Sequence, residues 1–387
     1  MTRPAAERLL TPGFLLCAAA NLAQGTAFNL FIQLPAFLHD LGADEVRIGL
    51  LFGLTSAAAI AARPPLGRAM DLRGRRDVIL VGGAMNVVVC LAYLGIHGLG
   101  PGIYAVRMLH GLAEAILFSA FFTQAADLVP AARRTEGLAL FGVSGVLPIS
   151  LGGVLGDWIL ERAGFPTLFG SAAALAGLSL ALSIPLRDAR PLAASGAPAR
   201  RGFVAALLQR DLLPLWALGG VFATALAGVW NFLKLHVDAT GVGSVGLFSS
   251  AYSLTAVALR LGLGWLPERV GPKRILLPAL VTQAAGILLL GRAGSAGALA
   301  VAGLLCGLGH GFTFPILSGL VVTRARDSER GAALSLFTAL FDAGVLVGGP
   351  LFGAVIEAAG YRAMYGAAAA GVLAGLGAFA WWDRGRR

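Results

Sequence analysis

Charge is scarce in this sequence. Only 13% of its 387 residues are Asp, Glu, Lys or Arg, about half the share of an ordinary soluble domain. A chain so poor in charge, with 57% hydrophobic residues and a mean hydropathy of +0.79, cannot cover a water-facing globule of its length. Cysteine is scarcer still, with three residues. Cys17, Cys90 and Cys306 lie far apart inside apolar runs, which excludes a disulfide framework and a cysteine metal site. No phosphate-binding Walker pattern occurs, so ATP is excluded as an energy source, and no cofactor is expected. A net charge of +10 raises the question of nucleic acid, but the placement of the charges answers it differently.

What is abundant is long apolar sequence. Runs of 18 or more apolar residues recur along the chain, each long enough to cross a hydrocarbon core of about 30 Å. In lipid every backbone polar group must be satisfied internally, so these runs are helices. Twelve spans are predicted, at roughly 13–38, 46–67, 77–97, 101–128, 135–160, 165–186, 212–236, 242–266, 272–292, 296–323, 331–357 and 362–382. Arg3 and Arg8 before the first run imitate a signal peptide. The run is too long for one and has no clear cleavage site, so it is read as the first span.

The basic residues are distributed unevenly. Twenty-two of the 30 fall in even-numbered turns and the two tails, and four (Arg47, Arg162, Arg292, Arg362) in odd-numbered turns. Excess positive charge on one side marks the cytoplasmic face. Both termini and the middle loop are therefore expected in the cytoplasm, and the terminal "WWDRGRR" is read as an interfacial Trp pair followed by a basic tail.

The chain also repeats itself. Arg63, Gly67 and Gly74 recur as Arg260, Gly264 and Gly271, a shift of 197; Gly111, Arg134, Gly152 and Gly164 recur as Gly307, Arg330, Gly348 and Gly360, a shift of 196. The expectation is an all-α membrane protein of two pseudo-symmetric six-helix bundles. Residues 1–186 would form the first, 187–210 a cytoplasmic linker and 211–387 the second. Parallel repeats of this kind place a binding site at their interface near the midplane.

The stretch "GRAMDLRGRR" (Gly67–Arg76) resembles the signature loop between the second and third helices of the major facilitator superfamily. "RMLHG" (Arg107–Gly111) resembles the family's Arg-x-x-x-Gly motif on the fourth helix. "ADLVPAARRTEGLALFGVSG" (Ala126–Gly145) and "FPILSGL…ERGAALSLFTALFDAG" (Phe314–Gly344) resemble its bacterial sugar-efflux and drug-efflux branch. The resemblance implies alternating access by two rocking bundles. It implies that Asp71, between Gly67 and Gly74, latches the cytoplasmic side by pairing across the halves, assisted by Arg75 or Arg76. It also implies that spans 3, 6, 9 and 12, which carry no charge in their interiors, face lipid. The fifth span departs from the pattern: the antiporter motif ends Gly-Pro-x-x-Gly-Gly, whereas this chain reads "GGVLGD" (Gly152–Asp157), with Gly153 for the proline and Asp157 for a glycine.

An ionisable group at membrane depth is costly and points to a cavity or a partner. Arg107, His110, Gly111 and Glu114 fall on one face of span 4, with Glu114 near the midplane. The repeat maps Glu114 onto His310, so the two are expected to face each other across the pseudo-twofold axis and exchange a proton. The alternative is that Glu114 pairs with Arg107 and His310 only packs. Asp342 in span 11 is a further coupling candidate. Lys234, late in span 7, either lines the cavity, making its outer half positive together with Arg107, or snorkels to the interface. Gln24, Asn29, Gln33 and Asn231 are candidate polar contacts to solute.

"GVSG" (Gly142–Gly145) with His310 imitates the Ser–His pair of an intramembrane protease, and "GLGHG" (Gly307–Gly311) imitates a nucleotide loop. Neither fits its context in a duplicated twelve-span chain. The expected activity is secondary transport of a small organic solute, anionic or zwitterionic, by a monomer in the bacterial inner membrane, with proton-coupled efflux the leading reading. Uptake or facilitated passage of an organic anion is the alternative, and lipid or lysolipid flipping an alternative of another class. Protons and membrane lipid are the other partners; nucleic acid, metal and enzymatic catalysis are not expected.

Overall fold

A computed structural model describes residues 9–130, 133–188, 203–326 and 329–384. Among these residues there is no strand. Helix α1 spans Pro12–Asp40 with a 3-10 turn at Phe31–Gln33. It is followed by α2 (Glu45–Arg73), α3 (Arg75–Ala92) and α4 (Pro101–Leu128). The continuous helical stretch Arg134–Ser183 breaks at Gly164 into two arms, α5 and α6. After the linker come α7 (Leu213–Thr240), α8 (Val245–Leu263), α9 (Pro272–Leu290) and α10 (Ala296–Arg324). The stretch Arg330–Trp382 breaks at Gly360 into α11 and α12. Twelve spans result, in two bundles of six.

The helix ends are set locally. Thr11, Asp44, Ser244 and Ser295 cap α1, α2, α8 and α10, each accepting a hydrogen bond from the amide three residues on, which satisfies an otherwise orphaned donor. Gly164 and Gly360 take φ of 69° and 78°, a conformation that a side chain resists, and each turns the chain back into the next arm.

One sequence expectation changes here. The charged signature stretch is not an extended loop: α2 continues through Arg73, Gly74 alone makes the turn, and α3 begins at Arg75. The helix runs beyond its apolar portion because Arg68–Arg73 can stay helical in water once clear of lipid.

The duplication is visible in the packing. A Cβ on Gly111 of α4 would overlap the backbone of Thr55 in α2; a Cβ on Gly307 of α10 would overlap the backbone of Tyr252 in α8. The same two helices cross at the same place in each half. Large apolar side chains lie exposed along α3 (Val81, Val88), α9 (Val281, Leu288) and α12 (Leu373, Trp381), as lipid contact requires.

The halves meet along α2 with α11 and α5 with α8. The end bearing Gly74 and Asp188 is called the basic face below, and the opposite end the outer end. At the outer end the contact is backbone on backbone: a Cβ on Gly49 of α2 would overlap the carbonyl of Gly349 in α11. At the basic face each half is tied to itself. In the first, the Asp188 carboxylate accepts from the Arg76 amide at 2.8 Å, and Arg75 pairs with Asp127 at 2.9 Å. In the second, Asp383 pairs with Lys273 at 2.6 Å and Arg324 at 2.7 Å. Burial opposes the charge of Asp383, but the hydrogen bonds and charges of Arg324 and Lys273 outweigh it and hold the carboxyl below its usual range.

Candidate functional site

The charged face of α4 divides its contacts. Arg107 is only 2% exposed. Its Nε donates to the Leu51 carbonyl at 3.2 Å, its Nη1 to the Tyr93 hydroxyl at 3.3 Å, and its guanidinium stacks 4.3 Å over the Phe52 ring. The Tyr93 hydroxyl also hydrogen-bonds His110 Nδ1 at 3.1 Å, while His110 Nε2 is buried without a partner. One helical turn beyond, Glu114 accepts at Oε2 from Gln24 Nε2 at 3.1 Å, and Gln24 Oε1 in turn accepts from Asn86 Nδ2 at 3.1 Å. Glu114 and Arg107 therefore do not pair. The carboxylate ends a chain of neutral amides drawn from α1 and α3, and the guanidinium is held by a carbonyl, a phenol and an aromatic face.

His310 is held within the second half. Its Nδ1 bonds the Tyr252 hydroxyl of α8 at 2.5 Å, and its ring packs on Phe222 of α7 and Phe314 of α10. Among the described contacts none joins Glu114 to His310; each is bound inside its own bundle.

Polar links cross between the halves at different depths. Toward the basic face, Arg63 of α2 donates from Nε and Nη2 to Asp342 Oδ2 of α11, at 2.9 and 2.6 Å. At the outer end, Asp157 of α5 accepts from the Gly246 amide in the first turn of α8 at 2.6 Å and from Gln33 Nε2 of α1 at 2.8 Å. Glu357 of α11 does the same for α2, accepting from the Val46 amide at 3.0 Å.

The remaining sequence candidates are placed as follows. Lys234 pairs with Asp238 on its own helix at 2.7 Å. Arg107 is enclosed in the first bundle, so these contacts do not bring the two cations together. Asn29 donates to the Gly25 carbonyl of its own helix at 2.8 Å. Asn231 is buried, with its Nδ2 unpartnered. Arg75 and Arg76, expected to assist a latch across the halves, bond within the first bundle, Arg76 to the Ile184 carbonyl at 2.8 Å. Gly67 and Asp71 have helical backbones in α2, but their side-chain surroundings lie outside the described residues.

Sequence reasoning did not find Asp157, Glu357, Arg63 or Arg260 as interface residues. The signal for Asp157 was present, as the carboxylate standing where the motif has glycine. For Arg63 it was the repeat itself.

The sequence profile described as Major Facilitator Superfamily matches residues 14–243 and 215–387. The chain belongs to the major facilitator superfamily. An MFS-type transporter of Salmonella typhimurium is 27% identical over 376 residues, covering 94% of each chain. One of Pseudomonas aeruginosa is 28% identical over 364 residues, covering 92% of this chain and 89% of its own. The MFS-type transporter YhhS of Escherichia coli is 26% identical over 352 residues, covering 88% and 84%. Among solved structures, the nucleoside transporter NupG superposes with a TM-score of 0.78 at 14% identity over 97% of this chain and all of that one. The human organic anion transporter MFSD10 superposes with a TM-score of 0.73 at 18% identity over 96% of this chain and all of that one. At these identities the two structures establish the fold. As a major facilitator superfamily member the protein is a multi-pass secondary transporter of a small solute.

Proposed function

We propose that the protein exports a small organic solute across the bacterial inner membrane in exchange for protons, as a monomer with its basic face and both termini in the cytoplasm. The observation that carries the reading is Glu114. It stands mid-helix, and the hydrogen bond it accepts comes from a neutral amide, Gln24, rather than from Arg107. A carboxylate paired with a buried arginine would stay ionised through the cycle. One held by an amide can take up and release a proton as its surroundings change between states, which coupling requires.

In this reading Asp342 is the conformational partner. Its pair with Arg63 joins the halves toward the basic face, while Asp157 and Glu357 join them at the outer end. Both sets are formed together here; alternating access then opens one set at a time, with Asp71 latching the basic face when it is closed. His310 and Arg107 serve as neighbours that set the polarity of the two bundle interiors. Asn231, with its free amide, is the contact to solute that the packing favours among those read from sequence; Gln24 and Gln33 act through Glu114 and Asp157.

The test is flux in proteoliposomes with and without an imposed pH gradient. Accumulation that follows the gradient and collapses with a protonophore supports exchange against protons; accumulation indifferent to the gradient contradicts it.

A further inference from the structure

The two halves differ at one charged position. Arg63 of α2 and Arg260 of α8 are repeat equivalents, separated by 197 residues. Arg63 reaches across the interface to Asp342 of the opposite half. The residue equivalent to Asp342 in the first half, 196 positions earlier, is Val146 of α5. Arg260 also reaches toward the opposite half: its Nη1 lies 3.3 Å from where a Cβ on Gly142 would stand, one turn before Val146. There it meets no carboxylate. Its Nε is buried without a hydrogen-bond partner, and no ion pair to it occurs among the described residues.

An arginine at this depth needs a counter-charge. Asp342 supplies it in one half, and no described residue supplies it in the other. The surroundings are suited to an organic anion. Gly311 of α10 packs against Ala256 and Leu259 of α8, which sets Arg260 near His310 and its hydrogen bond to Tyr252. Phe222 and Phe314 pack on His310, and Phe341 of α11 packs on both of them. The neighbourhood thus offers one fixed guanidinium, a phenol, an imidazole and an aromatic wall.

We propose that Arg260 is the anion-binding residue of the transport site. The solute's carboxylate, phosphonate or sulfonate would occupy the place against α5 that an aspartate side chain occupies against α11, with the solute's apolar body on the Phe222–Phe314–Phe341 wall. The proposal rests on the reading of the protein as a solute transporter, but not on its coupling to protons.

The test is ligand-induced thermal stabilisation of the purified full chain in detergent at one pH, using matched solutes: benzoate, phenylphosphonate and benzenesulfonate against neutral benzamide. The parent should be stabilised by at least one of the anions at concentrations tenfold or more below those needed for benzamide. Arg260→Gln should lose that preference. Val146→Asp should lose it too, with Arg260 intact, because the new carboxylate fills the vacant partner's place. This second variant keeps the test valid if Arg260→Gln does not fold. An anion preference absent from the parent, or retained in Val146→Asp, overturns the proposal. Proton coupling fails separately, because it is read as gradient-driven accumulation and these measurements impose no gradient.

Discussion

The carboxylate of Asp157 in α5 accepts a hydrogen bond from the backbone amide of Gly246, 2.6 Å away in the first turn of α8. Donor and acceptor belong to opposite halves. A carboxylate at a helix N-terminus gains from both the free amide and the helix dipole. Glu357 of α11 repeats the arrangement on Val46 of α2 at 3.0 Å. The outer end of the interface therefore carries two related links, each a side chain of one bundle capping a helix of the other.

Removing these links should favour the state in which the outer end is open. A charge-assisted hydrogen bond contributes roughly 1.5–3 kcal/mol, and about 1.4 kcal/mol shifts an equilibrium tenfold. Asp157→Ala should raise outward accessibility roughly tenfold or more, and Glu357→Ala, whose bond is longer and more exposed, should raise it less. Labelling of single cysteines placed near Gly49 and Gly153 reads the change. Unaltered labelling in the double variant would remove the outer gate from the account.

The Arg63–Asp342 pair should act in the opposite sense. Its side chains are 14% and 22% exposed, so breaking it leaves a largely desolvated charge, a cost of roughly 3–5 kcal/mol when burial is complete and less here. Asp342→Asn should separate the halves toward the basic face by a population shift of about tenfold. The charge swap Arg63→Asp with Asp342→Arg should recover much of the loss. Spin-label distances across the basic face test both, and additive effects of the two single changes would show that the residues are not coupled.

Asp383 makes stability depend on pH. Its carboxyl is held below its ordinary range, so its contribution is fully present above the unfolded value, about 3.9. It is lost as pH falls through the lower folded value. Asp383→Asn should lower the unfolding temperature by several degrees at pH 7, because Arg324 and Lys273 lose their shared partner. The gap between parent and variant should narrow as pH falls below about 4. A gap that stays constant with pH would contradict the assignment.

Lys234 should matter little to solute charge. It is paired four residues ahead with Asp238, a contact contributing about 0.3–0.5 kcal/mol. Lys234→Gln should change anion binding less than twofold and leave the preference over a neutral analogue intact. A selective loss of anion binding would return Lys234 to the cavity.

Much of the architecture was legible in sequence. Hydropathy alone located twelve spans, because membrane helices must be apolar for their whole crossing. The repeat was legible because helix crossings demand glycine at fixed places, as at Gly111 and Gly307. The side-chain pairings were less legible. The α4 pattern put Arg107 and Glu114 on one face, but Arg107 is held partly by the Leu51 carbonyl, and a backbone acceptor leaves no trace in residue identity. Asp157 read as a defect in a glycine motif, because its partner is an amide 89 positions away. Arg260 read as a copy of Arg63; that its partner is missing becomes clear only once Asp342 is known to be the partner of the original.

The most direct measurement is solute accumulation in proteoliposomes under a pH gradient, comparing the parent with Glu114→Gln. Glutamine keeps the size of the side chain but cannot carry the proton. The account predicts that the variant loses gradient-driven accumulation while exchanging solute between compartments of equal pH at close to the parental rate. A variant that still concentrates solute under the gradient as the parent does would contradict it and transfer the coupling role to Asp342.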